Sequence, residues 1–174
     1  ADYVAERFAA IGLAPAGEGN GWFQRVPLLK ATREEAGAAL VVARNGREIA
    51  LRFRDQYLPG LNYTDAEHAL EAEAVFVGQA VHAPDLKHDD FAGLDLRGRI
   101  AVLFTGAPAR FDDDRRAFYS AMQVKQQALV ERGAVGMVVV HTPEYEASSP
   151  WAQTAGDWAR PGMRLRDADG TPID

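Results

Sequence analysis

Five side chains able to bind a metal ion or move a proton crowd one stretch of the sequence: His82, Asp85, His88, Asp89 and Asp90 in HAPDLKHDD. A zinc site needs three or four such ligands converging on one point, usually from regular elements that hold them in place. This stretch carries Pro84, reads as a loop and matches no recognised ligand spacing, so solvated or structural roles are expected ahead of a metal site. Asp167-Ala168-Asp169-Gly170 has the opening pattern of a calcium loop, but no residues follow to supply the later ligands or the bidentate Glu. The Asp-Gly pair reads instead as a hairpin turn.

Nucleophilic catalysis finds no better footing. Ser120 falls inside a helical pattern, Ser148 and Ser149 fall in a loop, and no Gly-x-Ser-x-Gly elbow occurs. His141 ends an apolar run, where a packed strand-end histidine is expected rather than a general base. Neither GxGxxG nor GxxxxGK[ST] is present to cradle a phosphate. What remains is SSPWAQTAGDWARPG, in which Trp151, Trp158 and Arg160 are held between Pro150 and Pro161. Tryptophan and arginine are enriched at binding hot spots, so these three are the candidates for contact with a substrate or partner. The competing expectation is that both indoles cap the core.

The composition narrows the field further. The 174 residues carry a net charge of -6, with Lys and Arg scattered among the acids, which leaves no basic footprint for nucleic acid. With no cysteine, disulfides, thiolate metal sites and cysteine nucleophiles are excluded. The apolar runs, such as Val135 to Val140, fall far short of the ~20 residues of a membrane helix. The sequence has no signal peptide and starts at Ala1, which leaves room for a segment removed upstream.

The elements that must position these residues can be read from their periodicity. Ala1 to Ile11 places Tyr3 or Val4, Phe8 and Ile11 on one helical face, with Gly12 and Pro15 as the stop. Pro27 confines QRVPLLKA to an edge strand or a strand start. Asn45-Gly46, between Ala38 to Val42 and Glu48 to Phe53, predicts a type I′ hairpin. Ala74 to Val81 predicts a strand interrupted at Gly78 by a bulge or a close backbone contact. Ile100 to Phe104 predicts a buried strand, Arg116 to Arg132 one helix with Phe118, Ala121, Met122 and Leu129 on its inner face, and Val135 to His141 a second buried strand. That order, strand then helix then strand, favours a parallel crossover.

One set of motifs goes beyond local structure. VFVGQAVHAPD, DDFAGLDLRGRIAVLFTGAP and GAVGMVVVHTP, in that order and spacing, resemble the protease-associated (PA) domain inserted into bacterial zinc-dependent aminopeptidases. The leader AERFAAIGLAPAGEGNGWFQRVPL is similar to the opening of such peptidases. Gly93 and Gly98 would allow tight turns around Asp95, with Asp95 and Arg97 orienting the loop, and Gly133 would cap the helix. Gln79 and Ala80 depart from the family pattern, which often has an aromatic residue and glycine there.

The resemblance implies an α+β fold, a PA-like open β-barrel or sheet pair with flanking helices and one strand-helix-strand crossover. It implies a lead-in over residues 1-25 and a PA-like domain over 26-174, cut before its final strand. It implies a parent metallopeptidase whose zinc ligands and general base lie outside this segment, which itself contributes no catalytic or metal residue and no cofactor. The implied partners are the catalytic domain of the same chain and a peptide substrate, in a periplasmic or secreted enzyme, with no nucleic acid and no membrane. An unfinished final hairpin would expose a strand edge and invite a homodimer. Two other functions stay open at this stage: a free-standing module that binds a peptide or protein, and a self-contained hydrolase using His82, Asp85 and His88.

Overall fold

Ile100–Phe104 is short, apolar and without a polar break, and it forms the middle strand of the main sheet. A computed structural model describes residues 1–173. The chain divides into two compact units, one made of Ala1–Ala66 with the chain from Asp157 onward, the other of Glu67–Gly156.

In the second unit, β4 (Ala74–Phe76), β7 (Ile100–Phe104) and β8 (Gly136–Val140) form a three-stranded parallel sheet in the order β4-β7-β8. The expected parallel crossover is present between β7 and β8. Its connection is two helices, α2 (Asp113–Ser120) and α3 (Met122–Val130), rather than the single helix expected over Arg116 to Arg132. Ala121 is extended between them, at φ -62 and ψ 128. The break changes which faces point inward: Tyr119 turns onto Phe111, and Phe118, expected inside, is 58% exposed. Asp112 caps α2 by accepting from Arg115 N–H, as the acidic FDDD stretch suggests. Gly133, at φ +76, ends the second helix.

Side chains alternate across a strand, so Ala101 and Leu103 of β7 are buried together on one face. They pack with Val77, Phe91, Leu96 and Leu129 into the main core of this unit. A smaller cluster of Val81, Ala83 and Phe111 adjoins the short hairpin of β5 (His82–Ala83) and β6 (His88–Asp89). The stretch after β8, expected to be a loop, instead winds into α4 (Pro143–Ser148) and α5 (Trp151–Gly156). Thr142 caps α4 and Pro143 opens it, a start signal that the Pro-rich composition masks.

The first unit begins with α1 (Asp2–Ala10), followed by Gly12 at φ +82, as its periodicity predicts. β1 (Leu28–Ala31) starts just after Pro27 and pairs antiparallel with β9 (Gly162–Leu165). β2 (Leu40–Arg44) and β3 (Arg47–Leu51) form the expected hairpin, with Asn45 at φ +51 and Gly46 at φ +72. The Asp-Gly turn is also present: Asp167 accepts from the N–H groups of Asp169 and Thr171, and the chain begins to return through an Arg166 to Pro172 bridge. Among the described residues of this unit only Tyr57 is buried. The α+β class therefore holds. The strands lie in four small sheets with five helices among the described residues, and no barrel closes.

Candidate functional site

Because β4 and β7 run parallel, their carboxyl ends lie at one edge of the sheet, where open α/β sheets commonly place ligands. A polar node occupies this edge. Gly78, two residues beyond β4, takes φ +54, and a side chain there would put its Cβ 2.9 Å from the Asp90 carboxylate. The glycine thus lets the Asp90 Oδ2 atom approach the turn and accept from the N–H groups of both Gln79 and Val81, each at 3.0 Å. The Gln79 side chain donates to the Thr105 carbonyl just past β7, at 3.2 Å.

Lys125 reaches the node from α3 and is fully buried. Its ammonium donates to the Gln79 carbonyl and, at 2.7 Å, to the Gly106 carbonyl. Burial pushes the Lys125 amine down to about 8, and the nearby Asp90 charge partly opposes that shift. One cation therefore ties the loop after β4 and the loop after β7 to the helix between β7 and β8. A buried lysine with a lowered pKa is a familiar nucleophile, but this one is sealed from solvent and aimed at two carbonyls. The arrangement braces the sheet edge.

The five metal-ligand candidates are split by the same geometry. β5 and β6 pair His82 with Asp89 and Ala83 with His88, so alternation sends His82 and Asp89 to one side and His88 to the other. On the first side the His82 Nδ1 is 3.2 Å from Asp89 Oδ1. Desolvation acts upward on Asp89, yet the Phe91 N–H and His82 hold its carboxyl below the ordinary value. On the second side the His88 Nε2 lies 3.0 Å from Asp90 Oδ1, and the ring edges onto Phe111. Asp85 is exposed in the 3-10 turn Pro84–Leu86. Among the described residues no three His, Asp or Glu side chains gather to hold a metal ion.

Further along the same segment, Gly93 and Gly98 take φ +75 and +68 around Asp95. The Arg97 side chain makes two bonds to the Asp95 carboxylate, which also accepts from the Arg97 backbone N–H. The guanidinium and that N–H pull the Asp95 carboxyl down to about 2. The pair shapes an exposed loop, in the way the sequence suggests for these two residues.

The three contact candidates have separate surroundings. Trp151 opens α5, where its N–H donates to the Glu146 carboxylate at 2.9 Å, and its ring edges onto His141. His141 in turn packs on Tyr145, with ring centroids 4.6 Å apart, as a packed strand-end histidine would. Trp158, in the other unit, meets Phe53 edge-on at 5.5 Å, with the Arg54 guanidinium over its ring at 5.5 Å. Its carbonyl accepts from Arg33, which also donates to Pro59 O. Arg160 is exposed, and its backbone N–H donates to Asp157 O.

Lys125, Gln79 and Asp90 did not stand out as a set from sequence. The available signals were a lone lysine within the apolar pattern MQVKQQALV and a glycine just past a strand. No helix among the described residues is long and apolar enough to cross a membrane. Comparison with protein-family models, with curated proteins and with solved structures finds no match for this chain.

Proposed function

We propose that this chain is the non-catalytic, PA-like portion of a zinc-dependent aminopeptidase, and that it covers the active-site cleft or tunes peptide access to it. The path of the chain is the observation that carries this reading. The chain leaves its first unit after Ala66, builds a unit with its own core from Glu67 to Gly156, and re-enters the first unit at Asp157. That is the order of an insertion into a host domain, and β1 and β9 pair the flanks of the excursion. Among its described residues the host part buries only Tyr57, as expected if most of its core is completed by other polypeptide.

On this reading the zinc ions and the general base belong to the catalytic portion of the parent, which is periplasmic or secreted. The polar node keeps the inserted unit rigid and does no chemistry. The test is to express the full-length parent with and without residues 67 to 156, bridged by a short flexible linker. Chelator-sensitive release of N-terminal amino acids is expected from both, with altered selectivity for longer peptides in the deleted form. A full-length protein with no aminopeptidase activity under any divalent metal would refute the reading.

A further inference from the structure

Two of the three asparagines, Asn20 and Asn45, precede a glycine, the neighbour that shields the next peptide nitrogen least. Both take positive φ, 60 and 51, so the backbone angle does not separate them. Their surroundings do. Asn20 lies in a cinched loop: the Gly21 N–H donates to Glu18 O at 3.0 Å, while the Gly17 and Glu18 N–H groups close on Gly21 O and Phe23 O at 2.7 and 2.9 Å. Asn45 and Gly46 form the exposed tip of the β2-β3 hairpin. Among the described residues the Gly46 N–H has no acceptor, and apart from its chain neighbours no atom lies within 4 Å of where a Gly46 side chain would begin. The third asparagine, Asn62, is followed by Tyr63, and its side-chain oxygen accepts from the N–H groups of Thr64 and Asp65 at 2.8 and 3.1 Å.

We propose that Asn45 is a self-modification site, where the chain deamidates through its own backbone. Ring closure requires the peptide after Asn45 to rotate until its nitrogen meets the side-chain carbonyl, a motion that an unbonded tip permits and the cinched loop at Asn20 opposes. The Gly46 nitrogen, its proton lost to hydroxide, bonds to Asn45 Cγ; the bond from Cγ to the side-chain nitrogen breaks, and ammonia leaves with a proton from water. Water then opens the cyclic imide. Cleavage at Cγ gives aspartate, and cleavage at the main-chain carbonyl gives isoaspartate, in which the chain runs through the former side chain. Either product places a carboxylate beside Arg44 and Arg47, which face each other across the hairpin as like charges. Isoaspartate also adds a carbon to the main chain of a tight turn, which removes the geometric basis for pairing Arg44 with Arg47. The hairpin thus carries a one-way change of charge and shape that needs no enzyme.

Incubation of residues 1–174 in mildly alkaline buffer, followed by cleavage after glutamate, isolates Asn20 in peptide 19–34 and Asn45 in peptide 36–48. Exchange of the side-chain amide for a carboxyl, read by mass spectrometry, is expected about tenfold faster at Asn45 than at Asn20, whose attacking nitrogen must first give up its hydrogen bond. Isoaspartate, labelled by an isoaspartyl methyltransferase, should appear in peptide 36–48. In concentrated urea, where both are unstructured Asn-Gly pairs, the two rates should converge. Asn20 reacting as fast as Asn45 in the folded protein overturns the proposal, as does an Asn45 amide that survives folding conditions while the denatured chain reacts. A preference for Asn45 that persists unchanged in urea also overturns it, since flanking sequence and not the open tip would then be the cause. The reaction belongs to the tip itself and is expected whether or not the chain serves a peptidase.

Discussion

Gly78 shows how one missing side chain can set a site. Its positive φ turns the chain after β4, and its bare Cα admits the Asp90 carboxylate that collects two backbone N–H groups. Gly78→Ala adds a strained backbone conformation to a clash with a carboxylate that cannot withdraw without abandoning both donors. The expected loss is about 2–4 kcal/mol, measured by urea denaturation. Asp90→Asn should cost less, because its amide oxygen can take the place of Oδ2 and still accept from both N–H groups, losing only the charge. If Gly78→Ala were neutral, the close approach would have no energetic weight. Asp95 illustrates the opposite case, since its carboxyl is shifted as far as about 2 while remaining on the surface. Solvent screens such pairs, so a large shift there marks local geometry rather than stability.

At the scale of elements, Lys125 joins α3 to both strand-end loops, and its burial has a pH signature. The folded state holds the amine near 8, below the ordinary 10.5, so between those values the unfolded chain binds more protons than the folded one. Stability therefore rises with pH across that window, by up to about 3 kcal/mol if the shift is fully expressed. The neutral amine keeps N–H donors for both carbonyls, so the brace survives deprotonation. Lys125→Met should abolish the rise, and urea midpoints for both proteins at pH 7.5 and pH 10.5 give the comparison. Elements with strong local rules were legible in the sequence: the Asn45-Gly46 and Asp169-Gly170 turns, α1 with its glycine stop, and the apolar strands β7 and β8. The break at Ala121 was not, because a continuous helix satisfies the same apolar spacing and only tertiary contact turns Tyr119 toward Phe111. The helical turns around Trp151 were hidden by Pro143 and Pro150, which read as loop residues although each can open a helix. The node was legible only in fragments, since it joins residues up to 46 positions apart.

For the whole molecule, the contrast between the units predicts unequal autonomy. Glu67–Gly156 owns two clusters of buried side chains, whereas the other unit, among its described residues, buries only Tyr57. Residues 67 to 156 expressed alone should unfold cooperatively, and Trp151, the sole tryptophan in that span, provides the fluorescence signal. The other unit should exchange its amide hydrogens orders of magnitude faster in the intact chain. A fragment that behaves as a molten globule would contradict the division. The β1-β9 ladder has a further consequence, for the order of folding. Its four residue pairs fasten together the ends of an excursion of about 130 residues, whose entropic penalty in an unstructured chain is roughly 4 kcal/mol or more. So short a zipper cannot form early against that penalty, so it must close after the inserted unit has condensed and shortened the path between its ends. On unfolding the sequence reverses: the clasp lets go first, and the insertion outlives it as an independent bead on the string.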